Sequence, residues 1–383
     1  LNVLHLIDAV GLYGAAAVVL ELSKQQQLAG LNVTVLCFRR PNEPEKTLEK
    51  CLRDAGVQVE SWPITATPSP LAALKLFNFV RDMGADIAHC HGYKSNILLG
   101  LLPKRFLSCP VVSTIHGYTA VTALSMKGLY YWLDGIALKS MNKVFVVSAS
   151  TRAQLPNGIE GNKICLIHNG IAESAESRQV NAKALDAPFI VGTLGRLAEE
   201  KNYAFLIKGF AAWMSEHSPE RKVQLRIAGE GAELSNLQEL IETLGVGKSV
   251  QLVGYKSDTA DFIAGLNLYA NSSTTEGLPI SLLEVMRRGC PIVASNIGAN
   301  RELLAGECLA EFFEPKELPS LLAALERAYL KTSEERQKLV KRQKNVFLAH
   351  YTSKRMERAY YTAYQECTNK QQNSRRVAKN VLK

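Results

Sequence analysis

Short apolar runs alternate with longer stretches in which apolar residues return every three or four positions. Residues 1–7 (LNVLHLI) form a nearly continuous apolar run, the pattern of a strand buried on both faces. Residues 15–29 follow with Val18, Val19, Leu22 and Leu28 at helical spacing, and 32–38 is apolar again. The chain therefore opens with a strand, helix, strand unit. The alternation predicts further strands at 57–62, 86–90, 111–115, 143–148, 164–167, 188–194, 223–228, 249–253, 266–270 and 291–295. Between them it predicts helices at 47–55, 71–83, 124–142, 203–213, 280–288, 318–329 and 334–349. In 71–83 the apolar stripe reads Leu71, Leu74, Phe77 and Val80, which predicts a surface helix packed on the core by that stripe, with a membrane-docking face as the alternative. A last helix carries Met356, Ala359, Tyr360 and Ala363 on one stripe. Such an order belongs to parallel α/β domains.

One interruption divides the pattern. Residues 173–187 are polar and lack large apolar groups, as expected of a linker. With 383 residues the chain is long for one domain. Expected domains are 1–172 and 188–350, followed by a helix at 351–368 and a basic tail at 369–383. Apolar residues make up 47% and charged residues 21%, an ordinary globular composition. No apolar run approaches the ~18 residues of a membrane span, and the opening reads as a strand and not as a signal peptide. Eight cysteines without a Cys-x-x-Cys pair read as reduced thiols of a cytoplasmic protein. The formal charge of +9 resides in residues 331–383, which hold 14 Lys and Arg against 4 acidic residues. An excess confined to a tail argues against a nucleic-acid groove; it suits a solvated helix face or an anionic membrane surface.

Candidate chemistry falls where strands end, which is where ligands bind in parallel sheets. The densest stretch, 271–304, holds Glu276 in a loop and Glu284 on the helix behind Gly277, Leu278, Pro279 and Ile280. Ser281-Leu282-Leu283-Glu284 also fits a capping box, which gives Glu284 a structural alternative. After strand 188–194, Arg196 and Lys201 flank a helix start, where the helix dipole disfavours cations unless an anion or solvent attends them. In the first half, Gly14 lies in the loop between the opening strand and its helix, a junction that presents amides to an anion. His89 reads as a core histidine. His91 and Lys94 stand at a strand end and could meet an acceptor, and His116-Gly117 leaves the next strand. Residues 124–142 combine Tyr130, Tyr131 and Trp132 with Lys127 and Lys139, so both a core-facing and an interfacial helix fit.

Two ordered strings carry a resemblance. Gly195-Arg196-Leu197 with Glu200-Lys201-Asn202, and Glu276-Gly277-Leu278-Pro279 with Glu284, Gly289-Cys290-Pro291, Gly298-Ala299 and Glu302, resemble the signature of retaining glycosyltransferases of family 4. The likeness runs from about Val3 to Glu366. It implies a GT-B fold: two Rossmann-like domains with parallel sheets facing an interdomain cleft, the helix 351–368 crossing back to close over the first. It also implies transfer of a sugar from a UDP- or GDP-type donor, with no cofactor and no metal. By the same likeness Arg196 and Lys201 bind the donor diphosphate, Glu276 the sugar, Glu284 the ribose, and His116 lies near the reaction centre. Gly14 matches the second glycine of the family's Gly-Gly-Ala-Glu loop, although Tyr13 and Ala16 replace its first glycine and its Glu.

The function expected is therefore a hexosyltransferase-like enzyme acting on a glycan or lipid-linked acceptor in cell-surface polysaccharide synthesis. It would be cytoplasmic, with peripheral contact at an anionic membrane. Nucleic acid is not an expected partner. The rival readings are a GT-B phosphorylase or sugar-phosphate synthase, and an inactive GT-B scaffold that only binds nucleotide sugar.

Overall fold

A computed structural model describes residues 1–9, 11–64, 70–103, 107–117, 126–173, 187–306 and 308–381. The chain divides into two compact units, Leu1–Ala172 with Ser353–Lys383, and Glu173–Thr352. Of the linker expected at 173–187, residues 174–186 lie outside the described residues.

The first unit contains β1 (Asn2–Ile7), α1 (Ala15–Leu28), β2 (Asn32–Arg39), α2 (Thr47–Asp54), β3 (Gln58–Pro63), α3 (Pro70–Asp82) and β4 (Ile87–His91). It continues with α4 (Tyr93–Gly100), β5 (Val111–Ile115), α5 (Met126–Ser140), β6 (Lys143–Val146), α6 (Ala149–Ala153) and β7 (Ile164–Leu166). Its strands form one parallel sheet in the order β3-β2-β1-β4-β5-β6-β7. The order reverses between β1 and β4, where Val3 to Ile7 lie beside Ile87 to His91. That reversal opens a crevice beyond the strand ends.

The second unit contains β8 (Phe189–Leu194), α7 (Tyr203–His217), β9 (Val223–Ala228), α8 (Leu234–Thr243), β10 (Val250–Leu252), α9 (Thr259–Ala264) and β11 (Leu268–Asn271). Then come α10 (Ile280–Arg288), β12 (Ile292–Ser295), α11 (Gly298–Leu304), β13 (Glu311–Phe313), α12 (Leu318–Leu330) and α13 (Ser333–His350). The parallel order is β10-β9-β8-β11-β12-β13, so this sheet reverses between β8 and β11. Its core packs Phe189, Val191 and Leu225 of the sheet against Leu206, Phe210 and Trp213 of α7 and Leu321 and Leu325 of α12.

The last helix, α14 (Ser353–Val381), belongs to the first unit and corrects the expected boundary at 368. Residues 369–381 continue it without a break and are not a separate tail. Met356, Tyr360, Ala363, Tyr364 and Cys367 form its buried stripe, whereas Ala359 is exposed. A second correction concerns α3, whose buried side is Ala73, Leu76 and Val80 while Leu71 and Leu74 face solvent. Both stripes have helical period, and only packing decides between them. Helix α4 shows no apolar period because Ser95 to Gly100 are all buried, so no polar face marks it.

Candidate active site

In the second unit the site begins where β8 ends. Gly195 passes so close to Gly229, at the end of β9, that a Cβ on Gly229 would lie 1.9 Å from the Gly195 carbonyl oxygen. The glycine there is a packing requirement, since it lets two strand ends meet backbone to backbone. Beyond Gly195 the chain makes a short 3-10 turn, Glu199–Lys201, and enters α7 through Asn202 in the left-handed region (φ 54°).

The neighbouring strand end closes on this loop. Ser272 donates to the Lys201 carbonyl at 2.7 Å, and the Thr274 amide donates to the Glu200 carbonyl at 2.9 Å. These bonds bring together residues far apart in sequence. Lys201 Nζ lies 2.6 Å from Glu276 Oε1, and Ser273 donates to the same oxygen at 2.7 Å. Arg196 pairs with Glu200 at 2.5 Å and keeps about half of its side chain exposed (55%). Burial works against the charge on Glu200, but the backbone bond, Arg196 and Lys201 outweigh it and hold the carboxyl below its ordinary range.

Helix α10 starts at Ile280 with Pro279 as its N-cap, and no side chain caps it. Ser281 is thus inside the helix, which rules out the capping box expected as an alternative for Glu284. Glu284 instead accepts from Thr259 at 3.0 Å, and burial raises its pKa against the pull of Thr259 and Arg287. Gly277 and Leu278 form the approach to this helix start, where the Leu282 amide bonds back to the Pro279 carbonyl at 3.2 Å and no side chain caps the Ile280 and Ser281 amides. Beneath it, Asn300 donates to Asn271 and to the Ser295 carbonyl, and Ser295 donates to the Ser273 carbonyl. The loop bearing Glu276 is therefore anchored from the sheet upward.

In the first unit, Gly14 is the N-cap of α1 with φ 49°, and no side chain caps that helix either. Asp8, at the end of β1, pairs with Lys46 at 3.2 Å and with Lys94. Lys94, expected to meet an acceptor, is thus held by a carboxylate at the β1–β4 reversal.

The histidines divide clearly. His89 is fully buried, with Tyr364 on Nδ1 at 2.6 Å and Thr114 on Nε2 at 2.7 Å. It is the core histidine expected. His91 corrects the sequence reading: it is 3% exposed, and both ring nitrogens are engaged, by His5 at 2.9 Å and His116 at 3.1 Å. No nitrogen is left for an acceptor. His5 is bonded in turn to Gln26 at 2.7 Å. Burial lowers His5 and His116 to a pKa of about 4, and it holds His89 and His91 well below the usual histidine value. The ring is neutral in each at neutral pH. His116 Nδ1 is shielded from water and has no hydrogen-bond partner among the described residues.

Sequence reasoning passed over His5 and Gln26. Gln26 is a long polar residue in register with Val18, Val19 and Leu22 on the buried side of α1, and that anomaly was the available signal.

Comparisons with known proteins agree with this architecture. Residues 13–174 match the model described as Glycosyltransferase Family 4, and residues 173–346 match Glycosyl transferases group 1. The chain is 25% identical over 268 residues to the UDP-Gal:alpha-D-GlcNAc-diphosphoundecaprenol alpha-1,3-galactosyltransferase of Escherichia coli, covering 66% of this chain and 69% of that one. It is 27% identical over 276 residues to the alpha-monoglucosyldiacylglycerol synthase of Streptococcus pneumoniae, covering 61% of this chain and 60% of that one. Among solved structures, Anabaena HepE in complex with UDP and glucose superposes with a TM-score of 0.78 at 17% identity, over 95% of this chain and 99% of the other. Two parallel-sheet Rossmann-like domains, each matched by its own model, together place the chain in the family 4, or group 1, glycosyltransferases of GT-B fold.

Proposed function

We propose that this glycosyltransferase moves a hexose from a UDP- or GDP-sugar to a glycan or lipid-linked acceptor with retention at the anomeric carbon. The second unit takes the nucleotide sugar and the first the acceptor. The observation that carries the reading is the pairing of Lys201 with Glu276 at the β8–β11 reversal, with Arg196 held by Glu200 on the same loop, beside the uncapped start of α10. Two cations and a row of helix amides suit a diphosphate, whose negative charge grows as the sugar leaves. Fixed cations can supply the charge that a metal supplies elsewhere.

Glu276 accepts hydrogen bonds from sugar hydroxyls and Glu284 from the ribose diol, orienting the donor. In the transfer step the bond from the anomeric carbon to the leaving phosphate oxygen breaks, and the acceptor oxygen bonds to that carbon on the same ring face. The acceptor hydroxyl proton passes to the departing diphosphate.

A role at a membrane face in cell-surface polysaccharide or glycolipid synthesis rests on further observations. No helix among the described residues is long and apolar enough to cross a membrane. Helix α5, however, exposes Met126, Leu129, Trp132 and Ile136 along one stripe, with Lys139 exposed beside it. Such a surface suits the interface of an anionic bilayer. Two of the relatives carry diphosphoundecaprenol or diacylglycerol in their names.

The test is a panel of nucleotide sugars scored by release of free nucleoside diphosphate, with glycan and lipid-linked acceptors. Release from one donor that depends on the acceptor is the expected result. Nucleotide binding without release across the panel would favour a scaffold instead.

A further inference from the structure

The polar chain that runs through the first unit has a direction. Gln26 is buried in α1, its amide oxygen 2.7 Å from His5 Nε2 and its amide nitrogen donating to the Tyr364 hydroxyl at 3.4 Å. An amide oxygen only accepts, so His5 carries its proton on Nε2 and offers a lone pair at Nδ1. His91 Nε2 therefore donates to His5 Nδ1, and His91 Nδ1 accepts from His116 Nε2. The last ring in the series then has a bare lone pair at Nδ1, the atom without a partner among the described residues. Tyr364 completes the logic on the other side. Its hydroxyl receives the Gln26 amide and donates to His89 Nδ1, and His89 Nε2 donates to Thr114. Turning the Gln26 amide over would reverse every donor and acceptor in the series and put a proton on His116 Nδ1.

We propose that Gln26 is a positioning residue which, through His5 and His91, holds His116 as a hydrogen-bond acceptor at Nδ1, so that His116 receives a sugar hydroxyl and rejects a phosphate oxygen. The hydroxyl half of this rests on the sugar-transfer reading above; the tautomer half does not. Three neutral rings in series suit the task, because a neutral imidazole passes its orientation to the next while adding no charge. Burial keeps these rings neutral. His5, His89 and His91 are also grouped closely enough to be weighed as a metal site. Here the His5 and His91 nitrogens share a hydrogen bond, and both His89 nitrogens already hold oxygen partners.

The experiment is nitrogen NMR of the full chain labelled with ¹⁵N-histidine, each ring assigned by a His→Gln variant. Expected at neutral pH are neutral rings with the proton on Nε2 for His5, His91 and His116. Gln26→Glu, which keeps an oxygen at the same place, preserves the His116 tautomer. Gln26→Met releases His116 into a mixture of tautomers and lowers kcat/KM for the sugar acceptor about tenfold, as loss of one hydrogen bond does, while affinity for free nucleoside diphosphate is unchanged. A proton on His116 Nδ1 in the unaltered protein would overturn the proposal, and so would bound metal in stoichiometric amount. A folded Gln26→Met variant with unaltered tautomers and turnover overturns it equally. If Gln26→Met does not fold, the spectrum of the unaltered protein decides alone. Nε2-protonated rings in a chain that turns over no nucleotide sugar would sink the activity and leave the relay standing.

Discussion

Lys201 and Glu276, 75 positions apart, meet as an ion pair of 2.6 Å at the β8–β11 reversal, with side chains 20% and 11% exposed. The cation proposed for the donor phosphate and the carboxylate proposed for the donor sugar are thus each other's partner in the protein alone. A bound donor has to come between them or share them. Removing either leaves a partly buried charge without its counterion, which costs stability as well as function.

The first expected outcome follows from that pairing. Arg196→Ala and Lys201→Ala lower turnover by about 100-fold or more, as loss of fixed charge at a developing anion does. Lys201→Ala also melts earlier, because Glu276 loses its partner. Adding Glu276→Gln to Lys201→Ala restores the melting temperature and not the turnover. Initial rates and thermal melts of the three variants check this, and wild-type rates in the folded Lys201→Ala protein would refute the assignment.

The two glutamates separate by ligand. Glu276→Gln spares or strengthens binding of free nucleoside diphosphate, since Lys201 is released to it, and weakens binding of the intact sugar donor. Glu284→Gln weakens both by about 1.5–3 kcal/mol, the worth of a charge-assisted hydrogen bond. Calorimetric titration of each variant with both ligands measures the difference. Equal losses for both variants on both ligands would dissolve the distinction.

Acid should destabilise the first unit through its histidines. His5 titrates near 4 in the folded protein against 6.5 for a free ring, so between those values the unfolded chain binds more protons. Stability therefore falls as pH drops from about 6.5 towards 4, by about 3 kcal/mol for His5 alone. His89 and His91 act in the same sense. Melting curves across this range check it: a His5→Gln variant should show a shallower dependence than the unaltered chain, and an identical slope would count against buried neutral His5.

Chelation gives a fourth test. Transfer activity is expected to survive exhaustive EDTA treatment, because Arg196 and Lys201 hold the diphosphate. Loss of activity that Mg²⁺ or Mn²⁺ restores would show that the two cations are insufficient.

Vesicles test the α5 surface. Trp132 is 63% exposed, whereas Trp213 is 1% exposed and Trp62 is half-buried against Phe79, so a blue shift of fluorescence on anionic vesicles that Trp132→Phe removes would report the α5 stripe. Binding should weaken with salt, as attraction between basic residues and an anionic leaflet does, and Trp132→Glu should abolish the shift. Binding indifferent to salt, or none, would remove the membrane reading.

Much of this protein is legible in local strings. Gly195-Arg196-Leu197 and Glu276-Gly277-Leu278-Pro279 follow apolar runs, and strand ends are where a parallel sheet exposes backbone and side chains to ligands. Apolar period likewise marks α1, α7 and α12, because each buries one side only. It fails for α4, buried on every side, and it misassigns α3, where two stripes of equal period compete. What the folded chain alone decides is pairing. Gln26 meets Tyr364 across 338 positions, and His5 meets His91 across 86, because the strand order sets β1 beside β4 and α14 returns to the first unit. The same applies to Lys201 and Glu276, brought together by β8 lying next to β11. Strand order arises from how the crossovers pack and leaves no periodic mark on the residues it joins. The residue types of the site are therefore written along the chain, whereas their partners, tautomers and charge states come from the sheet.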